Sequence, residues 1–525
     1  MSAAKVNHGG TMVLRPQFGP YMSIVFAAHA KYLDGDSEGA LRDAGAAMLL
    51  VKGAGDHLSE RFLEYTLCSA LREQGRHEEV VDRATELLDR IGDDDPVWRA
   101  KALAVQAHAL ASLSRIAQAM DAVSEAEHLL AQHGSGTYNH LSATLALAIA
   151  LQPLRGFELA LSQLNAILPL YPGYGTYIAG EMSLVEAHWA ATLDLAALHD
   201  EATGHYRACQ SYALRTRQAA QDEEDPEFGQ LRADVYEAFV LARLGEHERA
   251  RAMLLPIPDD DLRADYPEHD LAYITIGRIA MAQGFPDRAR KHFQRVVHTA
   301  ERTGRDLWRS VALHALAEVE EAVHGEHPAH AWWRSQVVSL HQQAVHEADT
   351  RARELRERAL VRQLRETSDA MSRAALLDPL TGLANRRALT EFMLDDGSER
   401  GAVFVDVDYF KEVNDRFSHE VGDTVLQRVA ELLTASCRGD DLVVRYGGDE
   451  FLLICPGGAA GANAVAYRAH AAVRREDWTA VAADLMVTVS VGVAVSAVGR
   501  EALRMADAAL YRAKSAGRDQ VAEAA

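Results

Sequence analysis

Apolar residues recur at three- and four-residue spacing along most of the first 330 positions, the period of helices with one buried face. The stretch ADVYEAFVLARLGEHERARAMLLPI shows the unit: a striped run, a break at Gly245, and a second striped run closed by Pro256. A turn residue followed five positions later by Ala or Val recurs at Gly35/Ala40, Gly75/Val80, Ser114/Ala119, Arg155/Ala160, Ala197/Ala202, Gly245/Ala250 and Gly284/Ala289. Successive steps are 40, 39, 41, 42, 48 and 39 residues. Gly325 adds a further landmark, although its fifth residue is His330. A helix–turn–helix unit cannot bury its apolar stripe alone, so about eight stacked units predict an all-α solenoid with a continuous core.

From Ala329 to Asp378 the pattern loses its punctuation apart from helix-compatible residues: no Gly or Pro falls between Pro328 and Pro379. Fifty helical residues would span about 75 Å at 1.5 Å each. Within it, RARELRERALVRQLRE carries six Arg against three Glu, a solvated helical surface. Leu360, Leu364, Met371 and Ala374 mark a possible coiled-coil seam, interrupted by the polar Arg353, Glu357 and Thr367. A dimeric coiled coil and a single exposed linker helix both remain open.

After Asp378 the period shortens to two. Short β-branched runs (VFVDVD, LVVRY, FLLIC, MVTVSVGVAV) alternate with helical segments such as TVLQRVAELLTA and AVAYRAHAAVRR. Strands and helices interleaved this way predict one α+β or α/β domain. The expected organisation is multidomain: a flexible tail over 1–20, α-helical repeats over 21–328, a linker helix over 329–377 and the mixed domain over 378–525.

Charge narrows the partners. The 525 residues carry 54 Lys+Arg and 76 Asp+Glu, a net charge of −22. That balance argues against nonspecific binding to DNA or anionic membranes. It leaves an anionic small substrate open, because a few local cations or a metal override an average. The four cysteines lie far apart, which fits neither a disulfide framework nor a zinc site. The opening MSAAKVNHGG has no apolar core, so no signal peptide is expected. The most apolar run, Leu141 to Leu151, is far shorter than the roughly 20 residues of a membrane helix. A cytoplasmic location is expected.

Two places carry chemistry. In VFVDVDYFKEVND an apolar strand delivers Asp406 and Asp408 to one face at its end, with Phe410 and Lys411 following. A hard cation such as Mg²⁺ takes one or two such carboxylates and keeps its other positions for phosphate and water. For Asp408 alone the plain reading is a helix N-cap or a solvated rim acid. In LVVRYGGDEFLLIC two β-rich runs meet at Gly447-Gly448, a tight hairpin with Asp449 and Glu450 at its tip, placed to complete a metal site with Asp406. Taken singly, Lys514 and Arg518 are solvated charges four residues apart on a helix, His419 is a surface histidine, and Asn414 belongs to a loop.

Two resemblances tie these pieces together. The Gly, the later Ala and the Pro after each second helix resemble tetratricopeptide repeats, with a period near 40 residues instead of 34 and most of the consensus Trp and Tyr missing. That resemblance implies a surface for a protein or peptide ligand. In the last domain DPLTGLANRR (378–387), DVDYFKEVND (406–415), HEVGD (419–423), RYGGDEF (445–451) and ALYRAKSAGRDQV (509–521) occur in order. Together they strongly resemble the GGDEF domain of diguanylate cyclases, which implies condensation of two GTP into cyclic di-GMP with release of two pyrophosphates.

By that resemblance, Asp406, Asp449 and the Val407 carbonyl hold Mg²⁺ (or Mn²⁺), and Asp449, with Glu450 beside it, serves the attacking 3′-hydroxyl. Lys411 stabilises transition-state charge. Asn414 and Asp423 read the guanine edge, with His419 lining its pocket, while Lys514 and Arg518 hold the terminal phosphates. Gly447, Gly448 and Phe410 border the substrate. The run Arg438-Gly-Asp-Asp441 matches the family's RxxD inhibitory product site, which a second arginine, one of Arg468, Arg474 and Arg475, would complete. Each domain holds one GTP, so a homodimer is implied. The alternative is a catalytically silent cyclic di-GMP receptor or scaffold that uses the same RxxD site.

Overall fold

The computed structural model describes two short strands, β1 (Lys5–Val6) and β2 (Met12–Val13), and residues 20–524 apart from 34, 93–94, 134–135, 222–225, 259–261, 393–399, 457 and 497–498. Apart from those two strands and Pro20, the expected tail 1–20 lies outside the described residues. The chain divides into two compact units, 1–360 and 361–525. No helix among the described residues is long and apolar enough to cross a membrane.

The first unit is helical repeats, and the landmarks seen in the sequence are their turns. Each landmark residue is left-handed: φ is +76° at Gly35, +72° at Gly75, +87° at Gly245 and +78° at Gly284. Ser114, Arg155 and Ala197 adopt the same conformation, at 60°, 57° and 60°, without glycine's freedom. The next backbone N–H then reaches back to a carbonyl five residues earlier, as from Asp36 to Lys31 (2.8 Å) and from Leu198 to Leu193 (2.9 Å). This closes one helix and starts the next at a fixed angle. The Ala or Val five positions after each landmark is wholly buried, from Ala40 through Ala289, because that position faces the preceding helix. At Gly325 φ is again positive (+83°), but ψ is extended at 177°, His330 is not buried and a different element follows.

The array curls until its ends meet. The Tyr266 hydroxyl donates to the Tyr32 carbonyl across 3.2 Å. At Gly75 an added Cβ would stand 3.1 Å from the Arg302 carbonyl, so these two turns lie in direct contact. The concave side between these contacts forms a lumen.

The unpunctuated stretch forms one helix, Pro328–Ala374, of 47 residues. Its first part is built into the repeat unit. Val337 and Val345 pack against one apolar cluster and Leu355, 3 % exposed, sits in another. Gln342 donates to the Ala196 carbonyl (3.1 Å), and Arg356 and Arg358 form ion pairs with Glu158 and Asp121. The proposed seam residues Leu360, Leu364 and Met371 are exposed.

The second unit is a six-stranded sheet of order β3-β5-β6-β4-β7-β8. Its strands are β3 (Ala384–Asn385), β4 (Arg400–Val407), β5 (Leu442–Gly447), β6 (Glu450–Pro456), β7 (Val489–Ser496) and β8 (Val521–Glu523). β4 is central and antiparallel to both β6 and β7. Val403, Val405 and Val407 face a core with helices His419–Ala435 and Gly458–Arg475, while Ala402 and Phe404 face one with helix Gly499–Ser515. Covering on both faces explains why β4 reads as an almost unbroken apolar run before its acids.

Candidate active site

Asp406 is the penultimate residue of β4, paired across to Glu450 on β6 and Ser490 on β7. The β5–β6 hairpin folds over that end: Gly447 pairs with Glu450, leaving Gly448 (φ +51°) and Asp449 as the two-residue turn. Val407 N–H donates to the Asp449 carbonyl at 3.2 Å, which binds the turn to the strand terminus. Asp406, Val407, Asp449 and Glu450 thus share one corner.

A clamp absent from the sequence reading fixes this corner. Arg445 donates twice to the Gly448 carbonyl (3.0 and 2.8 Å) and once to Asp378 Oδ1 (2.9 Å). Asp378 also accepts from the Thr381 amide and hydroxyl, at 2.9 and 2.8 Å. Burial opposes its charge, but these donors outweigh burial and hold its carboxyl below the usual range. The opening Asp of the DPLTGLANRR run therefore anchors the hairpin rather than touching the corner itself.

Asp406 is 6 % exposed and its Oδ2 lies 2.6 Å from Lys514 Nζ. Burial raises its pKa to about 6; Lys514 opposes that rise, while the charges of Asp449 and Glu450 add to it. Lys514 reaches the corner because helix Gly499–Ser515 lies directly on β7. At Gly492 an added Cβ would stand 2.2 Å from the Ala506 carbonyl and Leu510 nitrogen, so only glycine permits the approach. Lys514, expected on phosphates, is the cation that neutralises Asp406 in this structure.

Asp408 corrects its plain reading as a cap or rim acid. It is 4 % exposed and accepts from Ser490 Oγ (2.6 Å), Thr488 Oγ1 (2.8 Å) and the Asp519 amide (3.0 Å). The segment after the last helix folds back over it, which removes the solvent a rim acid would have. Arg518 lies 4.0 Å from Asp408 and stacks on the Tyr409 ring at 4.5 Å.

The remaining expected residues line the adjoining helices. Phe410, Lys411 and Asn414 lie on helix Phe410–Phe417, and His419 and Asp423 on the first turns of His419–Ala435. Gly422 lets the two helices close: a Cβ there would stand 1.9 Å from Asn414 Oδ1. Lys411, His419 and Asp423 are exposed. Among the described residues no three His, Cys, Asp or Glu side chains form a complete metal cage. Two carboxylates and a carbonyl fit an ion that keeps positions for phosphate and water.

Arg438 and Asp441 lie on a separate turn, where Asp441 Oδ2 accepts from the Arg438 amide at 2.7 Å. Of the three arginines considered as a partner, Arg468 binds the neighbouring Ser436 carbonyl (3.2 and 2.9 Å). Arg474 instead faces Asp519, and Arg475 bonds within its own helix.

Residues 375–520 match the family described as diguanylate cyclase, GGDEF domain. The second unit carries a GGDEF domain. Response regulator PleD of Caulobacter vibrioides is 37 % identical over 173 residues, 30 % of this chain and 38 % of that protein. Diguanylate cyclase DgcP of Pseudomonas aeruginosa is 37 % identical over 158 residues, 28 % of this chain and 24 % of that one. The chain therefore spans well under half the length of these curated relatives, and the similarity resides in the GGDEF domain. Among solved structures, the coiled coil and GGDEF domain of DgcB from Caulobacter crescentus with c-di-GMP is 30 % identical, covering 33 % of this chain and 98 % of that chain with a TM-score of 0.30.

Proposed function

We propose that the protein is a diguanylate cyclase that joins two GTP into cyclic di-GMP and releases two pyrophosphates. The observation that carries this reading is the shared corner of Asp406, Val407 and Asp449 beneath the clamped hairpin. Asp406, Asp449 and the Val407 carbonyl would hold Mg²⁺ or Mn²⁺. When bound, the ion supplies charge neutralisation on the triphosphate.

The chain's own residues supply the rest. Lys514 leaves Asp406 for the terminal phosphates when nucleotide arrives, exchanging one anion for another, and Arg518 joins it. Asn414 and Asp423 accept from the guanine edge, a donor pattern that adenine lacks, with His419, Phe410, Gly447 and Gly448 bordering the nucleotide. Lys411, unpaired among the described residues, is free to meet phosphate charge as the bond breaks. Asp449, with Glu450 beside it, takes the proton of the attacking 3′-hydroxyl. One domain holds half of the reactants, so a homodimer brings each hydroxyl to the other GTP's α-phosphate.

Product would stop turnover at Arg438 and Asp441, with Arg468 as the completing arginine because it is tied to the same turn. A ligand of the helical repeats would set dimer geometry through residues 329–378. The test is incubation with GTP and Mg²⁺ followed by mass spectrometry of the nucleotides. Cyclic di-GMP is expected, Asp449→Ala should abolish it with the fold intact, and Arg438→Ala should raise its accumulation. A wild-type chain that binds cyclic di-GMP but makes none would instead be the silent receptor.

A further inference from the structure

The lumen of the repeat unit is a cavity of about 1240 Å³. That exceeds the several hundred Å³ of most small-molecule sites, and its walls come from repeats far apart in sequence. Its charges balance locally, with one exception. Arg72 pairs with Glu73 (2.5 Å), Arg232 with Glu268 (2.6 Å) and Glu181 (3.1 Å), and Arg305 with Asp270 (2.7 Å). Among the described residues Arg155 has no carboxylate within ion-pair distance, and its buried Nη1 makes no hydrogen bond. Burial, and then the like charge of Arg351, disfavour its ionised form, and the charge of Glu347 offsets them only in part.

The same wall carries further unused polar atoms. Among the described residues Trp308 Nε1, on a side chain 0 % exposed, and Thr192 Oγ1, 2 % exposed, have no hydrogen-bond partner. Neither have both ring nitrogens of His77 and Nδ1 of His108 and His188. Burial holds all three imidazoles below their usual pKa, so each is neutral and able to donate one N–H. Indole and guanidinium nitrogens can only donate. Trp308 Nε1 and Arg155 Nη1 are therefore buried donors without acceptors, at a cost in free energy that an acceptor-rich guest would recover.

Arg155 is also out of keeping with its backbone. It occupies the left-handed landmark position (φ 57°) at which four other repeats carry glycine. A bulky residue held in that conformation points to a role for its side chain. It lies near His341, which lines the same lumen from the long helix Pro328–Ala374.

We propose that the lumen binds a small aromatic organic acid, its anionic group on Arg155 and its planar body against the apolar wall that includes Leu145, Ile149 and Phe157. The acid supplies the acceptors that the unpartnered donors lack, and it touches the long helix at His341. This site is independent of GTP turnover and is tested by binding alone.

The probes are 8-anilinonaphthalene-1-sulfonate and its uncharged relative N-phenyl-1-naphthylamine, titrated by fluorescence into the full chain. The sulfonate should bind saturably at one site per chain. Arg155→Gly, which suits the left-handed backbone and should melt no lower than wild type, should weaken the sulfonate about tenfold or more and the neutral probe less than about twofold. Leu145→Trp, which fills the lumen, should weaken both. The proposal is overturned if the sulfonate shows no saturable site, if Arg155→Gly affects both probes alike or neither, or if Leu145→Trp leaves both unchanged.

Discussion

Replacing Lys514 with Met keeps the side-chain stem but removes the cation 2.6 Å from Asp406 Oδ2. The Asp406 carboxyl already holds its proton up to about pH 6, against 3.8 for a free group, because burial disfavours its charge and Asp449 and Glu450 repel it. Lys514 is the cation that opposes this rise. A hydrogen bond to a charged group contributes about 1.5–3 kcal/mol, and each pKa unit corresponds to about 1.4 kcal/mol. Losing it should move Asp406 upward by about one to two units, to between about 7 and 8.

The assay is kcat/KM for GTP against pH at a fixed, subsaturating Mg²⁺ concentration, which reports groups of the free enzyme. A protonated Asp406 cannot ligate a cation, so wild-type activity should fall on the acid side with a midpoint near 6, and Lys514→Met should shift that midpoint toward neutrality. The position of the limb is the readout, because Lys514 also serves the phosphates and its loss lowers the rate at every pH. The folded state binds the extra proton between pH 3.8 and about 6, so Asp406's contribution to stability declines as pH rises through that window and levels off above it. An acid limb that stays in place in Lys514→Met would refute the electrostatic account of the corner.

Other consequences follow from single contacts. Arg445→Met removes the donors that join Asp378 to the Gly448 carbonyl, and should destabilise the GGDEF domain by about 2–3 kcal/mol, read as a lower urea midpoint. Gly422→Ala would place a methyl 1.9 Å from Asn414 Oδ1; displacing that side chain by about 1 Å should raise KM for GTP on the order of tenfold, with a smaller change in kcat. Ala197→Gly relieves an exposed left-handed alanine (φ 60°) and should stabilise the repeat unit by roughly 0.5–1 kcal/mol, measured as a higher melting temperature.

Local rules made much of this molecule legible. The turns at Gly35 through Gly284 stood out because a left-handed residue and a buried small residue five positions on are fixed by backbone geometry, even where Ser114, Arg155 and Ala197 stand in for glycine. The apolar run of β4 and the paired glycines likewise located the corner of the sheet. What escaped depends on chain segments meeting at a distance. Arg445 and Asp378 are 67 residues apart, and nothing periodic links them. Asp408 looked like a rim acid because its cover, the backbone near Asp519, arrives 111 residues later. Val337, Val345 and Leu355 dock on partners far away in sequence and lie out of register with the apolar positions Leu360, Leu364 and Met371. The lumen is bounded where the turns at Gly75 and Gly304 touch, 229 residues apart.

The most direct test of the central claim is a structure of the chain with Mg²⁺ and a non-hydrolysable GTP analogue. The account predicts a cation held between the Asp406 and Asp449 carboxylates, with Lys514 moved from Asp406 onto the terminal phosphate. Nucleotide bound elsewhere, or Lys514 still paired to Asp406 with no cation at the corner, would contradict it.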